Sequence, residues 1–230
     1  METGRPRRVH PSGRLTFRNK VRPAKARELP LAVAGDEALD WTTLVPEGAG
    51  AVECEVGCGK GTFLVEAARS RPERFFVGVE AGPAYAEFCA DRLRREGLDN
   101  AVLVADDARL FLADTVPEGA LARLHVYYPD PWPKWRHRKR RLFGPEFPGL
   151  AARVLAEGGE LLVATDNLRY FGEALAVLGA APALRRDRGR ERGYGPEAPG
   201  LAFGPTNFSR KYAAEGRTLS RAVFVRLPEA

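Results

Sequence analysis

Asp130 sits between two prolines in the run Tyr127-Tyr128-Pro129-Asp130-Pro131-Trp132-Pro133-Lys134. Proline fixes φ and removes a backbone donor, so three prolines in five residues make a stiff loop, and a carboxylate held there is immobilised. A fixed carboxylate facing a planar purine can accept hydrogen bonds from the Watson–Crick edge of guanine, at N1–H and the N2 amine. Behind it come Lys134, Arg136, His137, Arg138, Lys139, Arg140 and Arg141 around Trp135. A cationic track with an aromatic in it suits phosphates and a stacked base. The competing reading is a rigid turn with a capping Asp, followed by a solvated charge run.

A second constellation is Glu55-Val56-Gly57-Cys58-Gly59-Lys60-Gly61. Gly57, Gly59 and Gly61 let a backbone pass close to a ligand that a Cβ would obstruct, although a tight strand-to-helix turn without a ligand needs the same residues. The phosphate loop of ATP-binding proteins requires Gly-x-x-x-x-Gly-Lys-Ser/Thr, but Gly59-Lys60 is followed by Gly61 and position 54 is Cys. The dinucleotide fingerprint G-x-G-x-x-G would need its third glycine one residue later, which disfavours NAD. Glu80 lies where a carboxylate accepts hydrogen bonds from the two hydroxyls of a ribose, a device that supports a nucleoside without choosing one. Asp107, in Asp106-Asp107-Ala108, suits either the exocyclic amine of adenine or a helix N-cap.

These residues need a scaffold, and the hydrophobic pattern describes it. Residues 51–56 read as a strand, the glycines as a turn, and Phe63, Leu64, Ala67 and Ala68 as one face of a helix over 62–70. Further strands are expected at 75–80, 101–104, 122–127 and 160–164, with helices at 83–96, 145–155 and 170–178 and a turn at 157–159. Strands alternating with helices argue for a parallel sheet covered on both faces. The stretch 184–205 reads as loops, and 220–227 as a last strand. Residues 1–45 lack an apolar period and read as a basic N-terminal arm, leaving 46–230 as the domain.

Lys and Arg number 36 against 30 Asp and Glu, for a formal charge of +6. Arg5, Arg7, Arg8, Arg14, Arg18, Lys20, Arg22, Lys25 and Arg27 concentrate that charge near the start. Such clusters neutralise phosphates and release counterions, although a solvated basic tail looks the same. Cys54, Cys58 and Cys89 form no C-x-x-C pair, so neither a zinc site nor a redox pair is expected. The first residues lack the apolar stretch of a signal peptide, and no run approaches the roughly 20 apolar residues of a membrane span. A soluble cytoplasmic protein with no metal is expected.

Taken with Gly78-Val79-Glu80, Ala164-Thr165-Asp166 and Thr206-Asn207-Phe208-Ser209-Arg210-Lys211-Tyr212, these motifs resemble those of bacterial tRNA (guanine-N7)-methyltransferases, in that family's order over about 50–225. The Pro-Asp-Pro-Trp-x-Lys-x-Arg-His block is the specific part. The resemblance implies a class I, Rossmann-like α/β fold, a doubly wound, mostly parallel seven-stranded sheet with an antiparallel C-terminal strand. It implies S-adenosyl-L-methionine as cofactor, bound by Glu55, Gly57, Gly59, Glu80, Asp107 and Asp130. It also implies Asp130 as the catalytic residue, and contacts from Lys134, Asp166, Thr206, Asn207, Phe208 and Ser209 to a guanosine in the variable loop of tRNA. The family usually carries Glu where Ser209 stands, so here that contact lacks a charge.

Overall fold

The structure is a computed structural model, and it describes residues 30–34, 39–194, 203–204, 206, 214–216 and 218–229. In chain order its elements begin with β1 (Leu31–Val33), α1 (Trp41–Leu44), β2 (Val52–Val56), α2 (Thr62–Ser70), β3 (Phe75–Glu80) and α3 (Pro83–Arg95). Then come β4 (Ala101–Ala105), α4 (Ala108–Asp114), β5 (Leu121–Tyr127), a 3-10 helix over Trp135–Arg140, α5 (Phe147–Val154) and β6 (Leu155–Thr165). The chain continues with α6 (Leu168–Gly179), β7 (Leu184–Arg186), α7 (Arg188–Gly193) and β8 (Ser220–Arg226).

All eight strands join one sheet in the order β1-β4-β3-β2-β5-β6-β8-β7. Pairings from β1 across to β6 are parallel, and β8 runs antiparallel to both β6 and β7. A parallel strand covered on both faces reads as a continuous buried run, and β2 is buried at every position. On one face Val52, Cys54 and Val56 pack with Phe111, Phe147, Ala151, Tyr170 and Leu178 of α4, α5 and α6. On the other, Phe63, Leu64, Ala86, Cys89 and Leu93 of α2 and α3 cover Leu103 and Tyr127. Strand order reverses beside β2, whose neighbours are β3 and β5, so the cleft at the strands' carboxyl ends opens there.

Among the described residues the sheet has eight strands, against six read from the apolar pattern and seven implied by the resemblance, and one of the unread strands, β1, falls inside the segment read as an arm. Only three residues long and preceded by Pro30, it lacks a period to read, and pairing with β4 creates it. The stretch 184–205 is likewise more than loop. β7 pairs with β8, while Asp187 caps α7 by accepting from the Arg190 N–H at 3.0 Å. Arg186 pairs with Glu191 at 2.7 Å and Arg190 with Glu160, so ionic contacts stand where the apolar period is missing. The turn expected at 157–159 is absorbed as an irregularity in β6, where pairing with β5 jumps from Leu121↔Leu155 to Arg123↔Glu160.

Candidate active site

The Gly-rich segment links β2 to α2 with Gly57, Gly59 and Gly61 at φ of 72°, 55° and 70°. A side chain at any of them would be strained, but the surroundings separate them. A Cβ on Gly61 would lie 2.1 Å from Cys89 Sγ, so this glycine lets α3 pack against the turn. A Cβ on Gly57 or Gly59 meets nothing within 4 Å among the described residues, so neither glycine is required there by packing against them. The turn is tied to β3 by Gly57 N–H and Cys58 N–H donating to the Val79 carbonyl at 2.8 and 3.2 Å. Glu80 then closes it, accepting from Gly59 N–H at 2.8 Å through Oε2 and from Gly82 N–H at 2.7 Å through Oε1.

Glu55, near the end of β2, is buried, and its Oε2 has no hydrogen-bond partner among the described residues. Burial, and then the charge of Glu80, push its carboxyl up to about 8 against a hydrogen bond from Leu64 N–H that pulls it down. A buried carboxyl with an orphan oxygen suits a cation. S-adenosylmethionine carries two cationic groups and a ribose diol, and Glu55, Glu80 and the open flank of Gly57 and Gly59 fit them. Asp107 N-caps α4, accepting from Arg109 N–H at 2.9 Å, and Asp106 Oδ1 accepts from Asp107 N–H at 2.8 Å.

Asp130 is exposed, and the loop around it is strained. Tyr128 and Trp132, neither glycine, have φ of 52° and 38°. Bulky residues pay about 1–3 kcal/mol for that region, and such outliers cluster where a side chain must be aimed. Arg141 holds the loop in place. Its Nε donates to the Pro131 carbonyl at 2.7 Å, its guanidinium pairs with Glu173, and it lies 5.1 Å over the Tyr170 ring. The sequence grouped Arg141 with the phosphate-binding cations. Its true setting depends on α6 presenting Tyr170 and Glu173, which nothing in the local sequence signals.

Asp107, Glu80, Glu55, Asp130 and Asp166 stand at or just beyond the ends of β4, β3, β2, β5 and β6, which are successive neighbours in the sheet. At about 4.8 Å between strands, the acidic row spans about 19 Å. Lys134 is exposed just before the 3-10 helix. Thr206 is buried and lines a small recess with Tyr127, Tyr128, Ala164, Phe203 and Arg221, which places it beside the Asp130 loop. Asn207, Phe208 and Ser209 lie outside the described residues. A recess of about 260 Å³ lined by Pro46, Glu73 and Asn100 lies at the opposite, amino end of β3 and is apart from the acidic row.

A methyltransferase family model, described as "Putative methyltransferase", matches residues 49–222. The chain is similar to a tRNA (guanine-N(7)-)-methyltransferase of Anaeromyxobacter dehalogenans, 37% identical over 84% of this chain and 94% of that protein. It is also similar to one of Methylococcus capsulatus, 44% identical but over only 56% of each. Among solved structures, a 30S ribosomal A1408 methyltransferase from an uncultured bacterium superposes with a TM-score of 0.53 at 14% identity, covering 83% of this chain and 96% of that one, a likeness of fold alone. With the family model spanning residues 49–222 and relatives above 30% identity matched over most of their length, this chain belongs to the tRNA (guanine-N(7)-)-methyltransferase family.

Proposed function

We propose that this protein transfers a methyl group from S-adenosylmethionine to N7 of a guanosine in the variable loop of tRNA, and that it works in the cytoplasm. The observation that carries the reading is the strained Pro-Asp-Pro loop. It stands next to the Gly-rich turn in the sheet and runs straight into Lys134, Arg136, Arg138, Lys139 and Arg140, which have no carboxylate partner among the described residues. The names of the relatives agree with it. Among the described residues no helix is long and apolar enough to cross a membrane.

When bound, S-adenosylmethionine supplies a methyl group on a sulfonium. Glu55 and Glu80 would hold its cationic and ribose parts, with Gly57 and Gly59 giving backbone access and Asp107 placed for the adenine. N7 of guanine has a lone pair and no proton, so no residue has to act as a general base. Asp130 accepts hydrogen bonds from the Watson–Crick edge and so orients N7. Its charge, with that of Asp166, offsets the positive charge that builds on the purine. Lys134, Thr206, Asn207, Phe208 and Ser209 complete the substrate contacts.

Methyl-labelled S-adenosylmethionine and unmodified tRNA, followed by digestion to nucleosides, test the activity. Label in 7-methylguanosine is the expected product, and label in any other nucleoside overturns the assignment. Asp130→Asn should lower kcat by about 100- to 1000-fold while tRNA affinity stays near that of the wild type. Near-normal turnover would mean that Asp130 neither orients the base nor offsets its charge.

A further inference from the structure

The 3-10 helix over Trp135–Arg140 has a geometry that an α-helix would not provide. With three residues per turn, side chains at i and i+3 lie one above the other. Six residues therefore form three edges, Trp135 with Arg138, Arg136 with Lys139, and His137 with Arg140. The third edge is used internally. His137 meets Trp132 edge-on at 5.6 Å, and Arg140 lies 4.9 Å over the same indole, which seats the helix on the Asp130 loop.

The other two edges are turned to other uses. Trp135 is 79% exposed, a costly position for the largest apolar side chain. Arg138 lies 4.8 Å over its ring, and Arg138 Nε is buried with no acceptor among the described residues, so the indole holds that guanidinium. Only one face of a ring is taken by such a stack. Lys134, Arg136, Arg138, Lys139 and Arg140 have no carboxylate partner among the described residues, whereas Arg141, next in the chain, pairs with Glu173.

We propose that Trp135 is a stacking platform for an unpaired nucleobase of the tRNA, backed by Arg138, with Arg136 and Lys139 as a rail for the adjoining phosphates. This rests on the reading of tRNA as the substrate. An exposed indole beside cations with no carboxylate partner among the described residues suits a polyanion that also offers flat faces, as unpaired nucleotides do. Trp135 is five positions along the chain from Asp130, so their Cα atoms are at most about 18 Å apart. The stacked base therefore lies close to the guanosine that Asp130 orients.

The test measures binding of unmodified tRNA, and of heparin, to the full chain over a salt series. Trp135→Ala should weaken tRNA binding about tenfold without changing its salt slope, and should leave binding of heparin, which has no bases, as it was. Trp135→Phe should recover most of the loss. The Arg136→Ala, Lys139→Ala double variant should weaken both ligands and lower the tRNA salt slope by up to about 1.4. S-adenosylmethionine affinity measured on the same preparations monitors the fold. If the wild type binds tRNA and Trp135→Ala binds it equally well, or loses tRNA and heparin alike, stacking is overturned while the tRNA reading stands. A wild type that does not bind tRNA overturns both.

Discussion

Glu53 and Glu55 are the same residue type, two apart on β2, on the same face of the sheet and both buried. Their electrostatic fates are opposite. Burial alone would raise the Glu53 carboxyl, but a hydrogen bond from His125 and the charges around it, Arg71 and Arg123 among them, hold it down at about 2. Its oxygens lie 2.8 and 2.9 Å from Arg71, 2.6 Å from Arg74 and 2.9 Å from His125 Nε2. His125 itself is pushed towards the neutral form by burial, so its Nε2–H donates to Glu53 and Nδ1 accepts from the Tyr127 hydroxyl at 2.7 Å. Glu55, one turn of the pleat closer to the cleft, has an orphan oxygen and another carboxylate for a neighbour, and is pushed up to about 8. A buried charge whose partners are all protein belongs to the scaffold. One left unsatisfied is available to a ligand.

The sharpest way to break that comparison is Glu53→Ala, which strands Arg71 inside the sheet. Removing one member of a buried ion pair costs about 3–5 kcal/mol, and denaturant unfolding should show a loss of that size. A loss below about 1 kcal/mol would mean Glu53 is no more structural than Glu55. Glu55→Gln should do the reverse, costing no more than about 1 kcal/mol of stability while weakening S-adenosylmethionine binding about tenfold by calorimetry. Unchanged cofactor affinity would take Glu55 out of the site.

The two carboxyls also separate along the pH axis. The depressed carboxyl of Glu53 contributes stability that is present above the ordinary value of 4.5 and lost as pH falls from there towards 2. The raised carboxyl of Glu55 contributes stability that is complete below 4.5 and lost as pH rises towards 8, by up to about 1.4 kcal/mol per unit. Glu55→Gln should flatten the unfolding free energy across that second window and leave the first untouched. Because a bound cation favours the ionised carboxylate, cofactor affinity should rise as pH approaches 8, with proton release visible in buffers of different ionisation enthalpy.

The glycines of the turn divide in the same way between packing and ligand contact. Gly61→Ala collides with Cys89 and should cost about 2 kcal/mol of stability. Gly59→Ala has room for its methyl and should cost about 1 kcal/mol through its φ alone, with the larger change in cofactor affinity. Equal stability losses would erase the distinction between packing and ligand-facing glycines.

Much of this was legible in the sequence because it is encoded locally. Apolar runs alternating with amphipathic segments marked the strands β2 to β6 and the helices α2, α3, α5 and α6, and Pro-Asp-Pro marked the stiff loop. Elements without a local signal escaped: β1 exists because β4 offers it an edge, and β7 with α7 because Arg186 and Arg190 find Glu191 and Glu160. The same limit applies within the site. The sequence determined that two glutamates precede a Gly-rich turn and that a basic run follows Asp130. Only the tertiary structure decided which glutamate is neutralised and which basic residues stay available. Although strand register sets His125 opposite Glu55, its side chain bonds Glu53, and Arg71 and Arg74 arrive from beyond α2. Arg141 is likewise drawn off the cationic run by Glu173 on α6. Charge type is a property of the residue, but its partner and its solvation are fixed by groups distant along the chain, and those set its energy.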